Sequence, residues 1–467
     1  MTWPRPARIS RVRGKPEVMV QRSRCICVLT FCLLLLAGRA VAQEKGDWFR
    51  IGTGLGVDKP RVAVADFAAR ADNAKSHSQL FTQVVRDDLQ FSGIIDLVSP
   101  SFYPTAVPSV PTELRNDDWI TPQVNANLLA FGNLTESTSE VVISAWLYDV
   151  RSPSTQAVVG KIYRGAPTDA QVRKFAHQFA DEIISRLSGG LPGIASTQIA
   201  FVSSRTGTKE IWVMDYDGAN QHPLTSLKTI SLTPRWSPDA SRIAFTCFAQ
   251  GPTGVVSPQI CMYSVDANKT VSFPRFRGSN SAPAWSPDGS QIMFCSSMLL
   301  GNPELFVVDS NGSRPKRITF SSAANTSPAW NPKTGQSVIF VSDRGGIPKL
   351  YMMNADGTNT SELDLPDKGY LIDPAWSPNG QMVAFSWRRP DGNFDIYIME
   401  PVGRDIRQIT RDSGKNERPS WAPDGRHIVF ESTRNGERQI WTMLADGSQA
   451  HQLTMSGHNE SPNWSPK

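Results

Sequence analysis

The chain has 467 residues, 40% hydrophobic and 9% aromatic, with 48 Lys and Arg against 43 Asp and Glu; this excludes a disordered tail and a collagen-like rod. Its formal charge of +5 is local, because Arg5, Arg8, Arg11, Arg13, Lys15, Arg22, Arg24 and Arg39 crowd the first 42 residues against Glu17 alone. The remainder carries 40 basic and 42 acidic residues, a net charge of −2, which argues against a nucleic-acid-binding surface.

Behind the basic stretch, residues 28–37 form a run of ten mostly apolar residues, about half of what a helix needs to cross a bilayer. Ala40-Val41-Ala42 follows, the small-x-small pattern of a signal-peptidase site. These features predict a signal peptide over residues 1–42, cleaved after Ala42, and an exported protein. Gln43 stands where a lipoprotein would carry Cys. Three of the six cysteines leave with this leader; of the rest, Cys247 and Cys261 fall on runs that pair as one hairpin, so a bridge and two buried thiols both remain open, and Cys295 stands apart.

Residues 43–59 hold Trp48, Phe49 and Ile51 ahead of Gly52, Gly54 and Gly56. The glycines precede the next strand and match no phosphate-loop spacing, so the segment reads as a flexible arm with aromatic anchors. Residues 60–188 predict a small α/β domain. Its signals are an apolar strand over 61–67, a helix over 79–91, strands over 128–134 and 141–150, and a second helix capped by Thr168. That helix presents Val172, Phe175, Ala176, Phe179, Ala180, Ile183, Ile184 and Leu187 as one stripe before Gly189-Gly190. Residues 189–197 are the linker.

From residue 198 to 467 the chain repeats. Pro-x-Trp-[Ser/Asn/Ala]-Pro occurs six times, with Trp236, Trp285, Trp330, Trp376, Trp421 and Trp464 spaced by 49, 45, 46, 45 and 43 residues. Each motif but the last leads through a polar turn into an apolar strand ending in Phe, then an aromatic-rich strand and a short outer one. Four short strands in about 45 residues is the period of a β-propeller blade. Gln198-Ile199-Ala200-Phe201 lacks a preceding Pro-x-Trp, and Trp464 lacks a following strand. The repeat therefore predicts six blades, with the C-terminal strand closing the ring on the first blade, and six tryptophans packed between blades.

Catalytic patterns are missing: no Gly-x-Ser-x-Gly, no His-Glu-x-x-His, and no Cys-x-x-Cys after the leader. Asp215-Tyr216-Asp217-Gly218 fits a hairpin turn better than a calcium loop, since Ser226 stands where that loop ends in Glu. No enzyme activity, metal or cofactor is expected. The rival functions are an exported propeller-based hydrolase or lyase and a glycan-binding propeller; the first wants a nucleophile motif and the second wants aromatics in the mouth loops.

A leader, a short arm, an α/β domain and a six-bladed ring with Pro-x-Trp-Ser-Pro-Asp-Gly repeats, together with Ser272-Phe273-Pro274-Arg275, resemble the TolB family, periplasmic components of the Tol-Pal system of Gram-negative envelopes. The resemblance implies a monomeric, non-enzymatic adaptor for outer-membrane integrity and cell division. It implies that Pal binds the propeller funnel through the loops entering each Pro-x-Trp strand: here Ser279, Asn280 and Ala282, Asn325 and Thr326, Asn416 and Glu417, and Asn459 and Glu460. It likewise implies that TolA binds the arm through Trp48, Phe49 and Ile51, and that Pal in the funnel changes whether the arm is free. The sequence departs from the family pattern at Phe276-Arg277-Gly278-Ser279, where relatives often carry a histidine, and at Asn331-Pro332-Lys333.

Overall fold

The computed structural model describes residues 59–467 apart from 153–155, 300, 366–368 and 412–413. The leader and the arm up to residue 58, including Trp48, Phe49, Ile51 and the glycines at 52, 54 and 56, lie outside the described residues.

The α/β domain runs β1 (Arg61–Val64), β2 (Ala68–Ala69), α1 (Lys75–Phe91), β3 (Asp96–Leu97), α2 (Asn116–Trp119), β4 (Leu128–Glu136), β5 (Val141–Asp149), β6 (Val159–Gly165) and α3 (Asp169–Leu187). Its sheet has the order β3-β1-β4-β5-β6, with β2 also on β4. The β1 pairings with β3 and β4 are parallel; β4, β5 and β6 form an antiparallel meander. The apolar stripe of α3 is buried as its spacing dictates, with Phe179 and Ile183 at 0% exposure against Phe81, Val85 and Leu89 of α1. Thr168 caps α3 by accepting from the Gln171 amide at 3.3 Å. The strand β6 carries polar residues on its exposed edge and has no clean alternation, which is why periodicity missed it.

The propeller consists of six four-stranded antiparallel sheets. In blade 1 the inner strand is the C-terminal Asn459–Trp464, paired with Gln198–Ser203, which pairs with Glu210–Asp215 and then His222–Pro223. Blades 2 to 6 begin with the inner strands Ser231–Trp236, Asn280–Trp285, Asn325–Trp330, Leu371–Trp376 and Asn416–Trp421. One phenylalanine per blade, at Phe201, Phe245, Phe294, Phe340, Phe385 and Phe430, sits at 0% exposure in the second strand. The repeat tryptophans are 4–9% exposed and pack between blades. Trp285, Trp376 and Trp421 donate their indole N–H to the preceding blade at Arg235, Ala329 and Ala375 carbonyls, 3.0–3.1 Å away. Trp464 donates instead to Thr197 Oγ1 at 2.7 Å, tying the ring closure to the linker. Cys247 and Cys261 form a disulfide across blade 2, and Cys295 is a buried free thiol pushed up to about 11 by desolvation.

Candidate functional site: the central channel and its mouth

Each inner strand is interrupted at the same place. Between its second and fifth residues the pairing register slips, and its third residue has a positive φ of 49–54°: Thr233, Ala282, Ser327, Asp373, Arg418 and Ser461. The bulge re-aims that side chain out of the ladder, and all six line a central cavity of about 480 Å³. The repeat's prolines and tryptophans complete the wall. A left-handed conformation at non-glycine residues is costly, and its recurrence in every blade marks a geometry imposed by the ring.

The six channel positions are not chemically equal. Blades 2, 3, 4 and 1 present Thr233, Ala282, Ser327 and Ser461, whereas blades 5 and 6 present Asp373 and Arg418, and Arg235 enters from blade 2, opposite blade 5. Burial pushes the Arg235 guanidinium down to about 10, with Asp373 opposing. Burial likewise raises the Asp373 carboxyl, against the pull of Arg418 and Arg235. Arg418 Nη1 donates to Ser461 Oγ at 2.9 Å and pairs with Glu431 Oε2 at 3.3 Å. Arg438 Nη2 pairs with Glu417 at 3.1 Å and its Nη1 with Glu431; Lys209 holds Glu460 at 2.5 Å. Burial and the charge of Glu431 raise the Glu417 carboxyl. Burial works the same way at Glu460, but Lys209 and Arg418 outweigh it and hold that carboxyl below its ordinary range. One side of the mouth is thus a continuous charged network spanning blades 6 and 1.

Four of the residues expected to face a partner do not. Asn280, Asn325, Asn416 and Asn459 are each 0% exposed, as the first residue of an inner strand. Their amides reach back to the buried third strand of the preceding blade: to Gln259 Oε1 at 3.4 Å, Glu304 Oε2 at 2.8 Å, Asp395 Oδ1 at 3.0 Å and Gln439 Oε1 at 2.7 Å. A buried polar acceptor needs a donor, and these asparagines supply it, so they join blade to blade behind the channel. At the junction of blades 4 and 5 both partners change together: Lys349 replaces the acceptor and pairs with Glu362 at 2.6 Å, and apolar Leu371 replaces the asparagine. Ser279 is exposed, Thr326 half-buried, and Ala282 lines the channel; Glu417 and Glu460 belong to the charged network. Arg235, Asp373 and Arg418 were not singled out from the sequence. Their only signal is a charge at repeat positions that hold Ser, Ala, Thr or Asn in other blades.

The mouth is also apolar at its edge. Val255, Val256, Leu299, Phe320 and Met455 are 60–76% exposed; Val256 opens the third strand of blade 2 and the others lie in second-to-third turns or outer-to-inner loops, all on the side where the inner strands begin. In blade 2 the second and third strands run for nine residues where the other blades have six, and this hairpin carries Val255 and Val256 beyond its neighbours, with the disulfide at its base. Among the described residues no group of His, Cys, Asp and Glu is arranged to hold a metal ion, and no helix is long and apolar enough to cross a membrane.

Comparison with known proteins agrees with this architecture. Residues 53–156 match the model of the TolB amino-terminal domain, and residues 186–370 and 366–467 match that of the TolB beta propeller domain. The chain is 31% identical over 484 aligned positions to the Tol-Pal system protein TolB of Bordetella pertussis (strain Tohama I), covering 93% of this chain and 94% of that one. It is 30% identical to a protein TolB homolog of Chlorobium chlorochromatii over 64% of this chain and 65% of that protein. The solved structure of TolB from Acinetobacter baumannii superposes with a TM-score of 0.72 at 24% identity, covering 88% of this chain and 97% of that one, which is a likeness of fold.

Proposed function

We propose, from the premise that this chain belongs to the TolB family and is a periplasmic component of the Tol-Pal system, that it acts as a non-enzymatic adaptor with two binding sites. The propeller mouth takes the lipoprotein Pal, and the arm over residues 43–56 takes TolA through Trp48, Phe49 and Ile51. The observation that carries the first half is the mouth itself. A six-sided opening of bulge residues, charged across blades 5, 6 and 1 and rimmed by exposed valine, leucine, phenylalanine and methionine, suits insertion of a protein segment with mixed polar and apolar contacts. Ser279, Ala282, Ser327, Thr326, Arg418 and Glu417 are the contacts we assign; the four buried asparagines are withdrawn from that role.

Calorimetric titration of the exported protein with the soluble domain of Pal from the same organism tests this. Saturable binding is expected, and Ser327→Trp, which fills the channel from a position outside the charged network, should weaken it at least tenfold. A well-folded protein with no affinity for Pal would overturn the assignment. Deleting residues 43–56 should abolish TolA binding and change the affinity for Pal; an unchanged affinity for both would remove the arm and its coupling.

A further inference from the structure

The α/β domain packs against the end of the propeller opposite the mouth. At that junction Tyr216 Oη donates to Asp88 Oδ1 at 2.5 Å, and His427 Nε2 lies 3.0 Å from the carbonyl oxygen of Phe91, the last residue of α1. The mouth end is formed by the six second-to-third turns and the six connections from an outer strand to the next inner one.

These loops divide into two arcs of opposite chemistry. The first arc begins at residues 453–458, passes through 204–209, 224–230, 251–255, 272–279 and 297–303, and ends at 318–324, so it covers blades 1, 2 and 3. It contains no Asp or Glu, and five basic residues: Arg205, Lys209, Lys228, Arg275 and Arg277. The second arc, residues 343–348, 363–370, 389–393, 409–415 and 433–438, contains six acidic residues, beginning with Asp343 and ending with Glu437. Apolar exposure is split the same way. Met455, Val255, Leu299 and Phe320 all belong to the first arc, with Val256 directly after it, and Leu227 and Ile230 are exposed there too. On the second arc Ile347 is the one large apolar side chain exposed among the described residues.

The first arc therefore offers apolar side chains on separate loops, with cations between them and no carboxylate. Lys228, Arg275 and Arg277 are exposed. The Arg317 guanidinium lies 4.8 Å over the Phe320 ring, which sets a further cation at the base of that apolar tip. The boundary between lipid headgroups and acyl chains takes both kinds of group, since apolar side chains enter it and basic ones meet anionic headgroups. A carboxylate would be repelled by the negative surface potential, and the arc carries none.

We infer that the blade 1–3 side of the mouth docks on an anionic lipid bilayer. Met455, Val255, Val256, Leu299 and Phe320 enter the headgroup region, and Lys228, Arg275 and Arg277 face lipid phosphates. Docked in this way, the protein turns its mouth toward the membrane and its α/β domain away from it. The inference is independent of the assignment of Pal to the channel.

Flotation of the whole exported chain with vesicles, in the absence of Pal, tests this. Vesicles of phosphatidylethanolamine and phosphatidylglycerol should carry the protein upward at low salt, with an affinity at least about tenfold above that for phosphatidylcholine alone, and added salt should release it. Lys228→Glu with Arg277→Glu should weaken binding to the anionic vesicles by at least about tenfold, given about fivefold for each basic residue lost. Leu299→Ser with Phe320→Ser should weaken it by about the same factor, whereas Ile347→Ser on the second arc should leave it unchanged. Folded protein that floats with neither vesicle overturns the inference and leaves the arc to a protein partner. Equal binding to both vesicles, or anionic binding that either double variant retains in full, overturns it as well. If a variant does not fold, the two vesicles and the salt dependence of the unaltered chain decide alone.

Discussion

The two ends of the propeller are built from the same repeat and have opposite characters. At the turn end, blades 6 and 1 are covered by the α/β domain, with Tyr216 and His427 buried to 1% and 2%. At the mouth end, five large apolar side chains are at least 60% exposed and the channel opens between unlike charges. The repeat itself is nearly symmetric, so the difference comes from departures within it. Asp424-Gly425-Arg426-His427 in blade 6 stands where blade 3 has Asp288-Gly289-Ser290-Gln291, and Asp373 and Arg418 stand where other blades have Ser, Ala or Thr. A repeat builds the ring, and its exceptions decide what each end does.

The sharpest way to break that comparison is at the closure. Trp464→Ala and Trp330→Ala both remove buried side chains, 4% and 9% exposed, and each should cost about 3–5 kcal/mol in denaturant unfolding. Trp464 alone is bonded to Thr197 and shares a core with Tyr216 and Ile194, so its loss should also expose the α/β junction to amide exchange, while the Trp330 variant leaves the junction protected. Next in size, Asn325→Ala leaves Glu304 and its partners short of a buried donor and should cost about 1–3 kcal/mol. Calorimetry on the folded fraction should find the affinity for Pal unchanged, which separates a residue that joins blades from one that touches a partner.

Glu460→Gln probes the charged side of the mouth. Because the folded carboxyl is held below its ordinary range, its contribution is present above the unfolded value of 4.5 and fades as pH falls through the lowered folded value. The variant should therefore be about 1–2 kcal/mol less stable than the parent at pH 7, with the gap closing in acid, as unfolding curves at both pH values would show. The smallest effect expected is a gain. Ala282→Gly relieves a φ of +53° in the channel wall and should stabilise the ring by about 0.5–1 kcal/mol if the bulge strain is local.

Much of the ring was legible in the primary structure because a blade is a local object. The Pro-x-Trp spacing, the Phe that ends each second strand and the unmatched first and last strands define the unit and its number. The α3 stripe was equally plain. The site was legible in part. The asparagines before Pro-x-Trp look like mouth residues, since they are polar and precede a proline, but the acceptors that claim them lie about twenty residues earlier, in the preceding blade, and no periodicity connects them. Short strands such as Ala68–Ala69 and Asp96–Leu97 are too brief for a pattern and exist through pairing with β4 and β1.

By itself, the sequence determined the six-fold repeat, its closure logic, the α/β domain before it and the resemblance to the TolB family, because each rests on spacing along the chain. Tertiary structure alone decided that Cys247 and Cys261 are bridged. It decided that the third residue of each inner strand turns into the channel, and that Arg235, Asp373 and Arg418 share it. It also set His427 between a carboxylate and a helix end 336 residues away. The reason is the same in each case: burial, charge pairing and hydrogen-bond satisfaction depend on which groups meet in space, and a closed ring brings together residues that no local pattern links.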